Sequence, residues 1–395
     1  MSRIPYTNKV GETLGSIADP AAAYSLRALG GGDPMVARVR RSSDDAEKDF
    51  TASDMGSGSV ANWVNEQLNL TSTLNPTPVG ADATWVHTAI DDSNYDLEAI
   101  NNSATKFLNL KNVVFKGNTK YRFAFDYTVI SGTSNLSLKR STPYQTIAIS
   151  EGFNSIVLDL TDDSMIQFRC ATGATFEASI RNLTVTAIES DGFVTTWYDQ
   201  SGNDNHATQG TAASQPKIVD GGTLVSDGID FDASNANFLV SPLSSNITGS
   251  ISMFSVSTVD SIGYTVSLSN STISSNYFAI QEGTTSSRVN PRNNTTGVSV
   301  SVSTTNLHKL TFGLTTSDTS TSIGSLGNNL VTTNQDYGDS FSGSDINQVL
   351  VGLLRSVSPT GYFDGRIQEI IIYDSDQSAN RAAIETNINN YYDIY

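Results

Sequence analysis

The chain has 395 residues, 38% hydrophobic and 16% charged, with a formal net charge of −17. That charge repels phosphate backbones and anionic bilayers, which speaks against nucleic acid as a partner. No stretch approaches the ~18 apolar residues of a membrane span, so no membrane insertion is expected, and the single Cys170 allows no intrachain disulfide.

Residues 1–18 are polar and unpatterned, an arm or connector in which Ile4, Tyr6 and Val10 are candidate anchors for a partner. No apolar run follows the basic residue near the start, so no secretory signal is expected. A virion component, made in a host cytoplasm and released by lysis, fits that pattern. Next, Asp19-Pro20 and Gly30 frame Ala22, Leu26 and Leu29, and the spacing predicts a short helix. Val36–Arg41 alternates as a strand, with Arg38, Arg40 and Arg41 on an ion-paired or solvated face. Gly56-Ser57-Gly58-Ser59 reads as a flexible stretch.

Between 66 and 190, short strand-like runs recur between turn residues. In Tyr121–Tyr127 the aromatics fall at alternate positions, which makes one face apolar and predicts a jelly-roll sandwich. Sugars stack on exposed aromatic faces, so Trp85, Tyr127 and Tyr144 are candidate glycan contacts; core packing is the alternative for each.

A new strand, Phe193–Tyr198, runs into Asp199-Gln200-Ser201-Gly202-Asn203-Asp204-Asn205-His206. Asp199, Asn203 and Asp204 offer oxygen ligands for calcium. The alternative is a tight turn held by Asx hydrogen bonds. His87, His206 and His308 are too dispersed for a metal motif. After further strands to Tyr373 the period changes. Arg381, Ile384, Ile388 and Tyr391 share one stripe, which predicts a C-terminal helix with Ser378 as its N-cap.

Ala23–Leu29, Arg38–Asp45 and Trp197–His206 together resemble the opening of the arabinofuranosidase B catalytic domain, glycoside hydrolase family 54. Gly365–Tyr373 with the terminal helix looks like the end of laminin-G-like or concanavalin-like domains. The segment 66–190 is similar to carbohydrate-binding jelly rolls. Sandwiches with the Tyr-Asp-Gln-Ser-Gly-Asn signature are also found in tailed-phage structural proteins. The resemblance implies an all-β fold: a concanavalin-like β-sandwich (19–65 and 191–395) interrupted by a second jelly-roll sandwich (66–190), with a short N-terminal helix and a C-terminal helix.

A retaining glycosidase needs two carboxylates about 5–5.5 Å apart. The resemblance aligns the nucleophile Glu with Phe278, in Tyr277-Phe278-Ala279-Ile280, and the acid/base Asp with Arg355, after Leu350-Val351-Gly352-Leu353-Leu354. No catalytic residue is therefore expected. The reading is a non-enzymatic virion structural or appendage protein of a tailed phage, with other virion proteins and a host surface glycan as partners. A homo-oligomer is compatible with it, and calcium is the single cofactor considered. The alternatives are an arabinofuranosidase-type hydrolase and a bacterial surface adhesin.

Overall fold

The computed structural model describes residues 14, 17–65, 78–79, 85–91, 94–99, 106–109, 115–117, 119–134, 136–141, 143, 145–170, 172–226, 228–273, 277–291, 298–301, 308–315, 320–326, 331–336 and 346–394. Ile4, Tyr6, Val10 and Tyr144 lie outside these residues, as do the side chains of Trp85 and His87.

Nineteen strands from both ends of the chain join in one antiparallel hydrogen-bonded system, folded over to make a sandwich. One layer is built around Asp364–Tyr373, which pairs with Ala22–Ser25, Ile229–Phe231 and Ile251–Ser261. It continues through Lys309–Thr315, Ser320–Leu326 and Val331–Asp336. The other layer runs from Glu47–Thr51 through Met35–Arg41 and Gly192–Trp197 to Ala207–Thr208. From there Leu239–Ile247 leads to Ile346–Val351, Gly263–Ser269, Tyr277–Glu282, Ser286–Pro291 and Val298–Ser301.

Side-chain period explains which face each strand buries. In Met35–Arg41, Val36, Ala37 and Val39 enter the core. Arg38, Arg40 and Arg41 point out and pair with Asp49, Asp45 and Asp44. In Asp364–Tyr373 the alternation is lost because both faces are covered. Ile367, Ile370 and Ile372 fill the space between the layers. Ile371 and Tyr373 pack instead against Ile384, Ile388 and Tyr391 of the C-terminal helix, Arg381–Tyr392. A strand buried on both sides reads as a continuous apolar run. That helix begins at Arg381 with Asn380 as N-cap, two residues beyond the Ser378 expected from the sequence.

The helix expected at 19–29 is absent. Ala22–Ser25 is a strand whose partners are Ile372, Ile371, Ile370 and Glu369. The local cues are real, but the exposed edge of Asp364–Tyr373 supplies backbone partners and a core slot for Tyr24, which outweigh a fraction of a kcal/mol per residue of helix propensity. The helical region near the N-terminus lies instead at Ala52–Ser57 and Ser59–Val64, across the stretch expected to be flexible. Thr51 and Asp54 form a capping box, and Gly58, at φ 82, makes the left-handed joint between the two helices.

The interrupting sandwich consists of two five-stranded sheets. Gly152–Leu160, Thr119–Thr133, Thr175–Ile188, Asn94–Ala99 and Trp85–Asp91 form one. Gln145–Ala148, Ser137–Arg140, Ile166–Cys170, Lys106–Asn109 and Pro78–Val79 form the other. Tyr121, Phe123, Phe125 and Tyr127 all point between the sheets, as their alternation requires. Among the described residues the unit meets the outer sandwich beside Asn65, Ser43 and Asp45, the last pairing with Lys116 (3.2 Å). Ser190 N–H donates to Asn65 Oδ1 (3.3 Å), Asn65 Nδ2 to Gly222 O (2.8 Å), and Tyr121 Oη to Ser43 O (3.1 Å).

One part of the outer core is polar. Ser255, Ser257, Lys309 and Thr311 occupy the inward positions of their strands and face Glu282 and Ser287 of the other layer. Ser287 donates to Glu282, Thr311 donates to Ser287, and Lys309 Nζ is spent on the Gly283 carbonyl. Burial raises the Glu282 carboxyl above its ordinary 4.5, so the folded protein holds this proton more tightly than the unfolded chain. Stability from this group is therefore full at low pH and falls as pH rises from about 4.5 through the folded value. Glu282→Gln keeps a hydrogen-bonding partner without the charge. Urea titrations at pH 4, 6 and 8 should show the variant gaining on the wild type as pH rises; parallel curves would contradict this.

Candidate functional site

The Tyr-Asp-Gln-Ser-Gly-Asn segment is a stitch between distant backbones. Asp199 accepts from Ala23 N, Ser201 N, Ser201 Oγ and Asn205 N. Gln200 donates to the carbonyls of Ser25 and Arg27 and accepts from Leu29 N. Asn203 Nδ2 donates to Pro20 O and Ala21 O. Asp204, at φ 56, has a side chain 92% exposed. Asp199, Asn203 and Asp204 thus do not converge as oxygen donors. Two of them fasten the turn to the N-terminal strand, which is the Asx-turn alternative. Among the described residues no group of three His, Cys, Asp or Glu is placed to hold a metal ion.

Tyr127 is also removed as a glycan contact. Its ring is 3% exposed in the jelly-roll core and its hydroxyl bonds Ser134. A ring facing Phe-rich packing cannot present its face to a sugar.

A different face has the required chemistry. In the meander Gly263–Ser269, Tyr277–Glu282 and Ser286–Pro291, the residues Val266, Leu268, Phe278, Ile280 and Val289 point into the core. Alternation sends Tyr264, Ser267, Ser269, Tyr277, Gln281, Arg288 and Asn290 to the opposite face. An irregularity in the pairing between Tyr264 and Val266 keeps Tyr264 on the outer side. The neighbouring strand Ile346–Val351 adds Gln348 opposite Ser269.

The segment after Val351 folds over this face. Gln348 Nε2 donates to Ser269 Oγ (2.9 Å) and to Ser356 Oγ (2.7 Å). Gly361 lies against the Tyr264 ring at φ +73, where an added Cβ would come within 2.7 Å of the ring. Asn290 Nδ2 donates to Tyr264 Oη (3.0 Å). Arg355 is partly exposed and donates from Nε to Ser358 O (3.4 Å). The result is a buried floor of serine, asparagine and glutamine, two half-buried tyrosines, and a guanidinium at the rim.

Two guanidinium groups act on this face. Burial raises the Tyr264 phenol above 10, and Tyr277 adds to that, while Arg288 and Arg355 pull it down. Tyr277 is likewise raised by burial and lowered by Arg355.

The structure corrects the facing of one aligned position. Phe278 is fully buried in the core, so a side chain there cannot meet a substrate on the outer face. Its neighbour Tyr277 does reach that face, on which Arg355 also acts. Sequence alternation around Phe278 carried this signal. The partnership with Asn290, Gln348 and Arg355 did not show, since it depends on register across four strands.

A concavity of about 310 Å³ is lined by Asp220, Asp230, Asp260 and Arg366 among others. Asp220 is paired with Lys217 (2.8 Å), and Asp230 stands opposite Arg366 in the sheet. Burial pushes the Asp230 carboxyl up. These charges are largely answered within the protein.

No protein-family model matches the chain, and no curated protein matches it. Among solved structures, an arabinofuranosidase complexed with arabinofuranosyl-alpha-1,2-xylobiose is similar at 15% identity and TM-score 0.38, over 68% of this chain and 62% of that one. The chain therefore spans less than two thirds of that enzyme's length. The Ruminococcus gnavus IT-sialidase CBM40 bound to alpha2,3 sialyllactose is similar at 13% identity and TM-score 0.30, over 41% of this chain and 93% of that one. Mouse laminin alpha1 chain domains LG4-5 are similar at 9% identity and TM-score 0.31, over 76% of this chain and 93% of that one. Likenesses at these values assign neither a family nor an activity.

Proposed function

We propose that the chain is a glycan-binding β-sandwich protein that holds its ligand without cleaving it, on the outer face formed by Tyr264, Tyr277, Asn290, Gln348 and Arg355. One observation carries the reading. Two half-buried tyrosines stand over amide and hydroxyl groups, and the charges acting on them are guanidinium groups. Aromatic faces suit the C–H faces of a sugar ring, and the buried amides of Asn290 and Gln348 fix the floor beneath them. Glycoside cleavage by paired carboxylates needs a nucleophile and a proton donor. A tyrosine and an arginine on this face offer no such pair.

The test is a glycan array probed with the full chain and with Tyr277→Ala. The wild type is expected to bind a restricted set of oligosaccharides, and the variant to bind them roughly tenfold or more weakly. An array with no bound oligosaccharide would sink the proposal. So would hydrolysis of a bound oligosaccharide by the wild type.

A further inference from the structure

We infer that the face of Tyr264 and Tyr277 selects an acidic sugar, one bearing a carboxylate or sulfate, and that Arg355 is the residue that reads its charge. This rests on the glycan-binding reading and adds the ligand class to it.

Forty acidic and 23 basic residues give a field that opposes any anion. In such a protein most arginines are expected to be neutralised locally, and many are. Arg27 pairs with Glu369, Arg38 with Asp49, Arg40 with Asp45, Arg41 with Asp44, Arg181 with Asp96 and Arg381 with Glu385. Arg355, like Arg140 and Arg366, answers only a backbone carbonyl, but it does so beside the two tyrosines. Among the described residues it has no carboxylate partner, and its one hydrogen bond runs from Nε to the Ser358 carbonyl.

That bond has a geometric consequence. Ser358 takes a left-handed backbone, φ 54, and Arg355 and Thr360 form a β-bridge across the turn. The turn fixes the arginine stem and engages Nε, so the two Nη groups remain as donors. A guanidinium held this way suits a planar carboxylate or a sulfate, either of which accepts two parallel N–H bonds. Its charge reaches the face, since it lowers the titration of both Tyr264 and Tyr277. A neutral sugar would use the rings but would leave this local positive potential unanswered. An acidic sugar uses both.

The experiment uses the full chain on an array carrying neutral, carboxylated and sulfated oligosaccharides, followed by titration calorimetry. The calorimetry compares the best acidic ligand with its neutral counterpart, the carboxyl-reduced or desulfated form. The wild type is expected to prefer the acidic member by about tenfold or more, the value of one charge-assisted pair. In Arg355→Gln that ratio should fall toward one, with an unchanged melting temperature showing that the fold is intact. Arg355→Lys, which keeps the charge but not the fork, should restore part of it. Carboxylated and sulfated hits separate the two sources of charge. Equal affinity for acidic and neutral members, or a preference that survives Arg355→Gln, overturns the inference and leaves glycan binding standing. No binding to any oligosaccharide overturns the underlying reading as well.

Discussion

Glu369→Ala should destabilise the outer sandwich by about 3–5 kcal/mol, because it strands a buried guanidinium. Arg27 and Glu369 meet at 2.7 Å with side chains 9% and 1% exposed. Ser25 Oγ (2.9 Å) and Tyr392 Oη (3.2 Å) also donate to Glu369 Oε2, and Arg27 Nη2 donates to Asn387 Oδ1 (2.8 Å). The guanidinium lies 5.0 Å from the Tyr391 ring centroid. Burial works against the charge on Arg27, but Glu369 more than offsets it. Removing the carboxylate alone leaves a cation with no counterion in an apolar seam. The double variant Arg27→Met/Glu369→Leu should recover most of the loss, since it removes both charges together. Urea denaturation followed by tryptophan fluorescence measures both, Trp197 being fully buried in the same sandwich. A loss below about 1 kcal/mol in the single variant would show that the pair is solvated.

Phe278→Glu should be at least as damaging, by about 5 kcal/mol or more, and should create no hydrolase. The side chain is fully buried and packs in the core shared by Val289 and Ile280. Deleting such a ring costs roughly 3–5 kcal/mol, and a carboxylate in its place adds the penalty of an unpaired buried charge. Tyr277→Glu, one residue away on the outer face, should fold normally. Denaturation midpoints of the two variants, read beside turnover of a chromogenic arabinofuranoside, settle the facing of this strand. Wild-type stability in Phe278→Glu would mean that the strand faces the other way.

The pair of positions also shows where sequence reading succeeds and where it stops. Strict alternation made Tyr121–Tyr127 legible, because that strand is apolar on one face only, and Met35–Arg41 was legible despite Val36 and Ala37 both being buried. The strand Ile370–Tyr373 and the terminal helix were legible for the complementary reason, since each needs the other to cover its apolar side. Ala22–Ser25 was misread because its partner strand lies near residue 370, and no local cue reports a sheet edge that distant. Tyr127 stayed a glycan candidate beside the core-packing alternative because alternation tells two faces apart without saying which is wet. The face holding Tyr264, Tyr277, Asn290, Gln348 and Arg355 was missed because its members come from separate strands and a turn. The position of Arg355 stood out in the sequence only through an alignment, and its role depends on what surrounds it.

The way the jelly roll is joined to the outer sandwich constrains the order of assembly. The outer sheet cannot be completed until the strand at Asp364–Tyr373 exists, since that strand supplies the full ladder of Ala22–Ser25, whose contact with Asp199 is a single bridge. During synthesis the first strands must wait for the last ones, which is a slow, high-contact-order closure. The strands between Pro78 and Ile188 pair among themselves and have no such wait. Once they fold, Asn65 and Ser190 stand within a hydrogen bond of each other. A chain excursion of more than a hundred residues then becomes, for the outer sheet, a short connection whose closure entropy has already been met. Met35–Arg41 and Gly192–Trp197, adjacent in the finished sheet, are brought together before the C-terminal half arrives. In the finished molecule the inner unit is an internal clamp on the outer one, fixing the spacing of the two strands that it separates in sequence.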